Sequence, residues 1–266
     1  MKKAAFIGTG NMGGALLRAA CQAIGADQVL AANHTPEKAE QLAAETGCTA
    51  VSSNQAAARG AQYLFLGVKP HKMEGVIREI APELTQGQVL VSMAAGLTVD
   101  TLAGWAPKGV PILRIMPNTP CAIGKGTTAL CAAPGTAEAH WAAVEEILRE
   151  TGLVRRLEEG QMDAFSAVAG CGPAFVYLFV EALADGGVLA GLPRDQALAY
   201  AAQTAAGAAA MVLERGTHPG ALKDAVCSPG GSTIQGVAAL ERGGLRAAVI
   251  SAVEAAWRKN RDLGKT

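Results

Sequence analysis

Three glycines near the start of the chain constrain its fold more strongly than any other feature. Gly8, Gly10 and Gly13 have the spacing G-x-G-x-x-G, after a short apolar strand pattern at residues 4–8 and before a helical pattern. This spacing binds a dinucleotide when it stands between a strand and a helix. The first glycine permits a tight turn, the second lets the backbone approach a pyrophosphate, and the third lets helix and strand pack closely. The N-terminus therefore predicts a nucleotide-binding unit.

Strand and helix patterns alternate from this unit up to about residue 159. Apolar strand patterns occur at 61–70, 87–96 and 110–120, and two more at 127–132 and 151–159 flank a helical segment. Such alternation is typical of an α/β fold with a parallel, doubly wound sheet. We therefore predict a dinucleotide-binding domain at residues 1–159.

The residues that follow the predicted strands are candidates for cofactor contact, because ligands of such sheets bind at the carboxyl ends of the strands. They are Val68, Lys69, Pro70, Ala94, Ala95, Gly96, Pro117 and Asn118.

The second strand ends at Asn33, His34 and Thr35, where NAD-binding domains usually have an acidic residue that binds the adenosine ribose. A carboxylate would repel a 2′-phosphate, so its absence favours NADP, with Asn33 and Thr35 as hydrogen-bond donors. No arginine stands here to bind that phosphate, so NAD remains an alternative cofactor. A polar turn that caps the next helix would also explain these residues.

The pattern changes after about Glu159, where strands give way to helices. Alanine-rich helical patterns occupy residues 160–266, with a break at 170–173 and a new start at Pro193. We expect Pro193 at the first helical position, which proline favours. Several of these helices are apolar on more than one face and need burial on several sides. We therefore predict an all-helical C-terminal domain that forms a homodimer.

Composition argues against several classes of function. The formal net charge is zero and only 4% of the residues are aromatic, which disfavours nucleic-acid binding. The six cysteines include no C-x-x-C pair and do not cluster with histidines, so we expect neither a metal site nor a disulfide framework. No apolar run reaches membrane-spanning length without charges or helix breakers, the alanine-rich stretch 197–213 coming nearest, and we recognise no signal peptide. We expect a cytoplasmic protein.

A second glycine-rich turn, CSPGGSTIQG at 227–236, precedes a predicted helix. Gly230 and Gly231 lead into Ser232 and Thr233, at a helix start whose amides and dipole favour an anion by ~0.3–1 kcal/mol. A phosphate-binding P-loop needs a lysine before its Ser/Thr, and this turn has none. A substrate carboxylate suits the modest charge better. The alternative is a helix cap formed by the hydroxyls.

The segment HPGALKDAVCSPGGSTIQGVAALE, residues 218–241, resembles the signature of the pyrroline-5-carboxylate reductase family. The stretches FIGTGNMGGAL, LGVKP, MAAG, RIMPNTP, GCGPAFVYLFVEALADGG and GLPR resemble the same family in the same order, so the resemblance spans almost the whole chain.

The resemblance implies a Rossmann-type N-terminal domain and a helical C-terminal domain, residues 160–266, that binds substrate and builds the dimer. Members reduce the C=N bond of L-1-pyrroline-5-carboxylate to L-proline, the last step of proline biosynthesis, with NADPH or NADH. Many assemble further, often as decamers of five dimers.

The resemblance also implies roles for individual residues. The substrate-binding residues are Glu159, Gly230, Gly231, Ser232 and Thr233, with the Thr233 hydroxyl near the ring nitrogen as the catalytic group. The cofactor-binding residues are Gly8, Thr9, Gly10, Asn11, Met12, Gly13, Asn54, Val68, Lys69, Pro70, Ala95 and Asn118. Ala225 is a departure, because some members have an asparagine there.

Two alternative functions remain open from the sequence. Hydroxyacid dehydrogenases of similar layout have a catalytic lysine on the first long helix of the second domain, and no lysine occurs here between Lys125 and Lys223. That absence disfavours alcohol oxidation but leaves an imine reductase for another substrate. A nucleotide-binding module without activity is the other alternative, and the intact loop at 230–233 argues against it.

Overall fold

A computed structural model describes residues 1–263 of the chain. The chain divides into two compact units. The first contains residues 1–170 and the end of the last helix from Ala256, and the second is Cys171–Ala255.

Eight strands of the first unit form one sheet, and helices connect most of them. The strands are β1 (Lys2–Ile7), β2 (Val29–Ala32), β3 (Thr49–Ala50), β4 (Ala61–Leu66), β5 (Val89–Ser92), β6 (Ile112–Pro117), β7 (Gly126–Ala132) and β8 (Gly152–Arg156). The α-helices are α1 (Asn11–Ile24), α2 (Pro36–Thr46), α3 (Asn54–Gly60), α4 (Pro70–Ile80), α5 (Val99–Trp105), α6 (Glu138–Leu148) and α7 (Met162–Phe165). Short 3₁₀ turns lie at Ala26–Gln28, Ala81–Glu83, Thr119–Ile123, Arg149–Thr151 and Glu159–Gln161, and Ser166–Gly170 is a π-helix.

The order of the strands is β3-β2-β1-β4-β5-β6-β7-β8, which confirms the predicted doubly wound sheet. The order reverses between β1 and β4, so the crevice beside these two strands is the point where such sheets bind ligands. All neighbouring strands are parallel except β6 and β7, which pair antiparallel with Arg114 opposite Cys131. Only the 3₁₀ turn Thr119–Ile123 lies between these two strands, so β7 runs straight back along β6 instead of crossing the sheet.

The sheet has a hydrophobic core on each face, as a parallel sheet requires. Alternate residues of β1 enter opposite cores: Phe6 packs in one and Ile7 in the other. Phe6 stacks on Phe65 of β4, with ring centroids 4.6 Å apart. This packing fixes the adjoining ends of β1 and β4.

The second unit is helical, and no strand follows β8 up to residue 263, as predicted. Its helices are α8 (Gly172–Leu189), α9 (Arg194–Arg215), α10 (Pro219–Ala225), α11 (Ser232–Arg242) and α12 (Leu245–Leu263), of which the last continues into the first unit. Pro193 is the residue before α9 and not its first helical residue, so that prediction was wrong by one position.

Few side chains of the second unit are buried. Its small core centres on Ala184, Ala197 and Ala201. Large apolar side chains of α8 are exposed instead: Val176, Tyr177, Leu178, Phe179 and Leu183. An exposed patch of this kind marks an interaction surface.

One segment among the described residues, Glu159–Leu189, is long and apolar enough to cross a membrane by length and composition. This segment contains Glu159, Asp163, Glu181, Asp185 and Pro173, so it does not contradict the expectation that no run of this length lacks charges and helix breakers. The stretch 197–213, expected to come nearest, does not meet the same criteria, so that part of the expectation was wrong. Because the segment passes through a 3₁₀ turn, α7 and a π-helix before α8, it is one helix only in the broad sense.

Candidate functional site

The first glycine turn is built from backbone atoms in close contact. Gly8 has φ +91°, and a Cβ there would lie 2.7 Å from the carbonyl oxygen of Gly67. A Cβ on Gly13 would lie 2.1 Å from the carbonyl oxygen of Gly8. A Cβ on Gly10 would have no atom within 4 Å, so Gly10 faces open space at the start of α1, whose first turn no side chain caps. The turn thus leaves backbone N–H groups beside a free volume, which fits a pyrophosphate.

A cavity of about 440 Å³ opens at the carboxyl ends of β1, β2 and β4. Six predicted cofactor residues line it together: Gly8, Gly10, Asn33, Asn54, Val68 and Lys69. Thr9 and Asn11 line an adjoining cavity of about 240 Å³, which also contains Gly10. The remaining predicted cofactor residues, Met12, Gly13, Pro70, Ala95 and Asn118, do not line the larger cavity.

Positive charge predominates around this cavity. Lys38, Lys69 and Lys72 line it, with Glu79 as its carboxylate. Glu79 accepts a hydrogen bond of 2.9 Å from Nδ2 of Asn54. An anionic dinucleotide fits such surroundings, and a third phosphate fits them better than a free ribose hydroxyl does. The sequence analysis missed Lys38, although its place in the first turn of α2, next to the end of β2, was a usable signal.

Asn33 connects the end of β2 to the glycine turn. Its Nδ2 donates to Oγ1 of Thr9 at 2.7 Å, and its Oδ1 accepts from the Thr35 N–H at 3.0 Å. Thr35 precedes α2 and makes no side-chain cap. These bonds hold the turn after β2 against the turn after β1.

Asn118 follows β6 and is almost fully buried. Its Oδ1 accepts from the Thr127 N–H at 2.8 Å, and its Nδ2 donates to the carbonyl oxygen of Ala169 at 3.0 Å. The side chain therefore ties the start of β7 and the π-helix to the end of β6.

Glu159, a predicted substrate residue, accepts two hydrogen bonds on one oxygen. Its Oε1 accepts from the Val99 N–H at 2.7 Å and from a guanidinium nitrogen of Arg114. Arg114 lies within β6 and was not predicted as a functional residue. A single arginine inside the apolar strand pattern ILRIMP was the signal that could have revealed it.

The second glycine turn belongs to the helical unit. Gly230 has φ +70°, which favours glycine, and the Gly231 N–H donates to the Ser228 carbonyl at 3.0 Å. Gly231 directly precedes α11, and no side chain caps this helix. Ser232 and Thr233 are exposed in its first turn. Because the first N–H groups of a helix have no partner within it, this turn can accept a carboxylate.

Comparison with known proteins first defines the class. The family model described as "NADP oxidoreductase coenzyme F420-dependent" matches residues 3–96, which include the turn with Gly8, Gly10 and Gly13 and the cavity of about 440 Å³. The N-terminal unit is therefore the dinucleotide-binding domain of an oxidoreductase. The model "Pyrroline-5-carboxylate reductase dimerisation" matches residues 159–263.

Individual relatives then define the family. The chain is 41% identical over 267 residues to the pyrroline-5-carboxylate reductase of Escherichia coli (strain K12), covering 100% of this chain and 99% of that protein. It is 39% identical over 260 residues to the Glycine max protein of the same name, covering 97% and 94%. This chain belongs to the pyrroline-5-carboxylate reductase family, as its sequence motifs indicated.

Solved structures agree with this assignment. A pyrroline-5-carboxylate reductase from Coxiella burnetii has a TM-score of 0.93 at 32% identity, covering 100% of this chain and 99% of that one. The Plasmodium falciparum pyrroline carboxylate reductase with NADP bound has a TM-score of 0.87 at 32% identity, covering 99% and 98%.

Proposed function

We propose that this chain reduces the C=N bond of L-1-pyrroline-5-carboxylate to L-proline with NADPH, as the last step of proline biosynthesis. The observation that carries the proposal is the uncapped start of α11, which lies inside the segment with the family's signature. Sequence identity of 39% and 41% to two pyrroline-5-carboxylate reductases, over nearly the whole length of the chain, supports it. The enzyme would thus be an oxidoreductase that acts on a CH–NH bond.

The cofactor site uses residues of the N-terminal unit. Gly8, Gly10 and Gly13 form the turn for the pyrophosphate, with Thr9, Asn11 and Met12 between them. Asn33, Asn54, Val68, Lys69, Pro70, Ala95 and Asn118 complete the proposed cofactor-binding set. When bound, NADPH supplies the hydride. The lysines around the cavity favour NADPH over NADH, and NADH remains usable as a weaker donor.

The substrate site uses the turn before α11. The substrate carboxylate binds at the turn formed by Gly230 and Gly231 and accepts hydrogen bonds from the backbone N–H groups of Ser232 and Thr233, at the positive end of the helix dipole. The Gly231 N–H instead holds the turn through its bond to the Ser228 carbonyl. The Thr233 hydroxyl contacts the ring nitrogen, and Glu159 lines the substrate pocket.

The chemistry needs little acid–base assistance. The protonated imine exists in water near neutral pH and accepts hydride at its carbon, which breaks the C=N π-bond and leaves a secondary amine. The amine then takes up one proton from solvent. Alignment of the two reactants supplies several kcal/mol of the barrier reduction. A site poor in catalytic acids and bases is consistent with this requirement.

We also propose that the two domains have separate functions. Residues 1–159 bind the dinucleotide, and residues 160–266 bind substrate and form a homodimer. The exposed apolar side chains of α8 and the dimerisation family model support the dimer. Assembly of dimers into a decamer and a cytoplasmic location complete the proposal.

The decisive test follows the loss of NADPH absorbance on addition of pyrroline-5-carboxylate, with identification of proline by chromatography. Parallel reactions use NADH, a cyclic imine without a carboxylate, and a 2-hydroxyacid with NADP⁺. We expect rapid reduction of pyrroline-5-carboxylate alone. A faster reaction with another imine or with the hydroxyacid would favour an alternative enzyme, and no reaction at all would leave only a binding module.

A further inference from the structure

A buried arginine stands in the middle of the sheet. Arg114 is 5% exposed, and its Nε has no hydrogen-bond partner among the described residues. Opposite it on β7 lies Cys131, whose pKa burial raises to about 11. A buried guanidinium needs a partner of opposite charge, because removal of a charge from water is costly. Glu159 provides it.

This ion pair differs from surface pairs in the same unit. Arg59 and Glu83, for example, keep 56% and 29% of their side chains exposed, whereas Arg114 keeps 6%. Exposed pairs contribute little, and a buried pair is often no more stable than apolar residues of the same volume. Stability alone is therefore a weak reason for a charge at this position.

The pair joins segments that carry proposed ligand contacts. Arg114 lies four residues before Asn118, and Val99 begins α5 four residues after Ala95. Oε1 of Glu159 accepts hydrogen bonds from both Arg114 and the Val99 N–H. The carboxylate is thereby held between β6 and the first turn of α5.

The second oxygen of the same carboxylate is available to a ligand. Both hydrogen bonds described for the Glu159 carboxylate, from the Val99 N–H and from Arg114, use Oε1, and the side chain is 34% exposed. A fixed carboxylate with one free oxygen is a suitable acceptor for a cationic N–H group.

We propose that Arg114 is a positioning residue for imine reduction: it holds Glu159 so that the free oxygen accepts the N–H of the protonated ring. The inference rests on the proposed function, because Glu159 is assigned to the substrate there. Arg114 itself contacts neither substrate nor cofactor. Its loss therefore raises the KM for the substrate more than it affects NADPH binding.

The test compares Arg114→Met, Arg114→Lys and Glu159→Gln, with Arg59→Met as the matched control from an exposed pair. For each protein we measure KM and kcat for pyrroline-5-carboxylate, Kd for NADPH by fluorescence titration, and Tm. We expect Arg114→Met to raise KM about tenfold while Kd for NADPH stays within about twofold, because uniform substrate binding is lost. Arg114→Lys restores most of KM, since it keeps the charge.

We expect Glu159→Gln to raise KM by a similar factor. The double variant Arg114→Met/Glu159→Gln should have a KM no higher than that of the single variant with the higher KM, because both changes remove the same interaction. Arg59→Met matches the wild type. If Arg114→Met does not fold, Glu159→Gln and Arg114→Lys decide the question by the same criteria.

Unchanged KM and kcat in folded Arg114→Met would overturn the inference. So would parallel losses in NADPH affinity, Tm and turnover, which would indicate a structural role only. A wild-type protein that does not reduce pyrroline-5-carboxylate would instead refute the proposed function, and this inference with it.

Discussion

Nδ2 of Asn33 donates a hydrogen bond to Oγ1 of Thr9, with 2.7 Å between the two atoms. This bond joins the strand end that faces the adenosine ribose in dinucleotide-binding domains to the turn that faces the pyrophosphate. The contacts that decide cofactor preference and those that bind the pyrophosphate are therefore linked through this bond. Different residues still border the two regions, Lys38 near the proposed ribose position and Gly10 near the proposed pyrophosphate position, so each can be changed separately.

Lys38→Gln should weaken NADPH binding about tenfold, through loss of one charge-assisted contact, and leave NADH binding nearly unchanged. Lys38 lines the cavity beside Asn33 and His34. Titration with 2′,5′-ADP and with ADP measures the effect without catalysis. Lys108→Gln, at an exposed position between α5 and β6, is the control. Equal weakening of both nucleotides would assign Lys38 to a different phosphate.

Gly10→Val should abolish NADPH binding without unfolding the protein. A Cβ on Gly10 has no neighbour within 4 Å, so the side chain enters the space proposed for the pyrophosphate. Gly13→Ala is the informative contrast, because its Cβ would meet the Gly8 carbonyl oxygen at 2.1 Å and must lower Tm as well. Fluorescence titration and thermal unfolding separate the two effects. NADPH binding by folded Gly10→Val would show that the dinucleotide lies elsewhere.

Thr233→Ala should lower kcat roughly 10- to 100-fold with little change in Kd for NADPH, since misplacement of the reacting ring is costly. Thr233 is exposed in the uncapped first turn of α11. Thr233→Ser keeps the hydroxyl and should restore part of the rate. Steady-state kinetics and NADPH titration provide the measurement. Selective loss of NADPH affinity would mean that the turn binds the cofactor.

Cys131 should make the folded protein less stable at high pH. Burial raises the pKa of its thiol from 9.0 to about 11, so the unfolded chain loses this proton first. The contribution to stability is complete below pH 9 and is lost as the pH rises towards about 11. Urea unfolding across this range should give a shallower decline for Cys131→Ala than for the wild type. An equal decline of the free energy of unfolding with pH in both proteins would contradict a raised pKa for Cys131.

Tyr177→Glu should dissociate the dimer, because it places a charge in the exposed apolar surface of α8, where Tyr177 is 62% exposed. Ile123→Glu is the control, since Ile123 is 76% exposed on the other unit. Sedimentation velocity at micromolar concentration distinguishes the species. A wild-type monomer would contradict the proposed homodimer, and a dimeric Tyr177→Glu would move the interface away from this residue.

Local patterns were sufficient to predict much of the fold. The spacing of Gly8, Gly10 and Gly13 and the alternation of strands and helices predicted the doubly wound sheet. The antiparallel pairing of β6 with β7 was not predicted, because strand periodicity carries no information about direction. The contact between Arg114 and Glu159 joins residues 45 positions apart, and only the folded sheet brings them together. Lys38 was missed because the 2′-phosphate ligand was sought as an arginine directly after the second strand, and the first turn of the next helix was not considered.

The contact between Gly8 and Gly67 has a consequence for protein engineering. A Cβ on Gly67 would lie 2.4 Å from the Gly8 carbonyl oxygen, so neither glycine can change without displacement of the other. At this contact the nucleotide site is formed by main-chain atoms, which substitution cannot replace. A change of coenzyme preference must therefore be sought at side chains that line the cavity, such as Asn33 and Lys38.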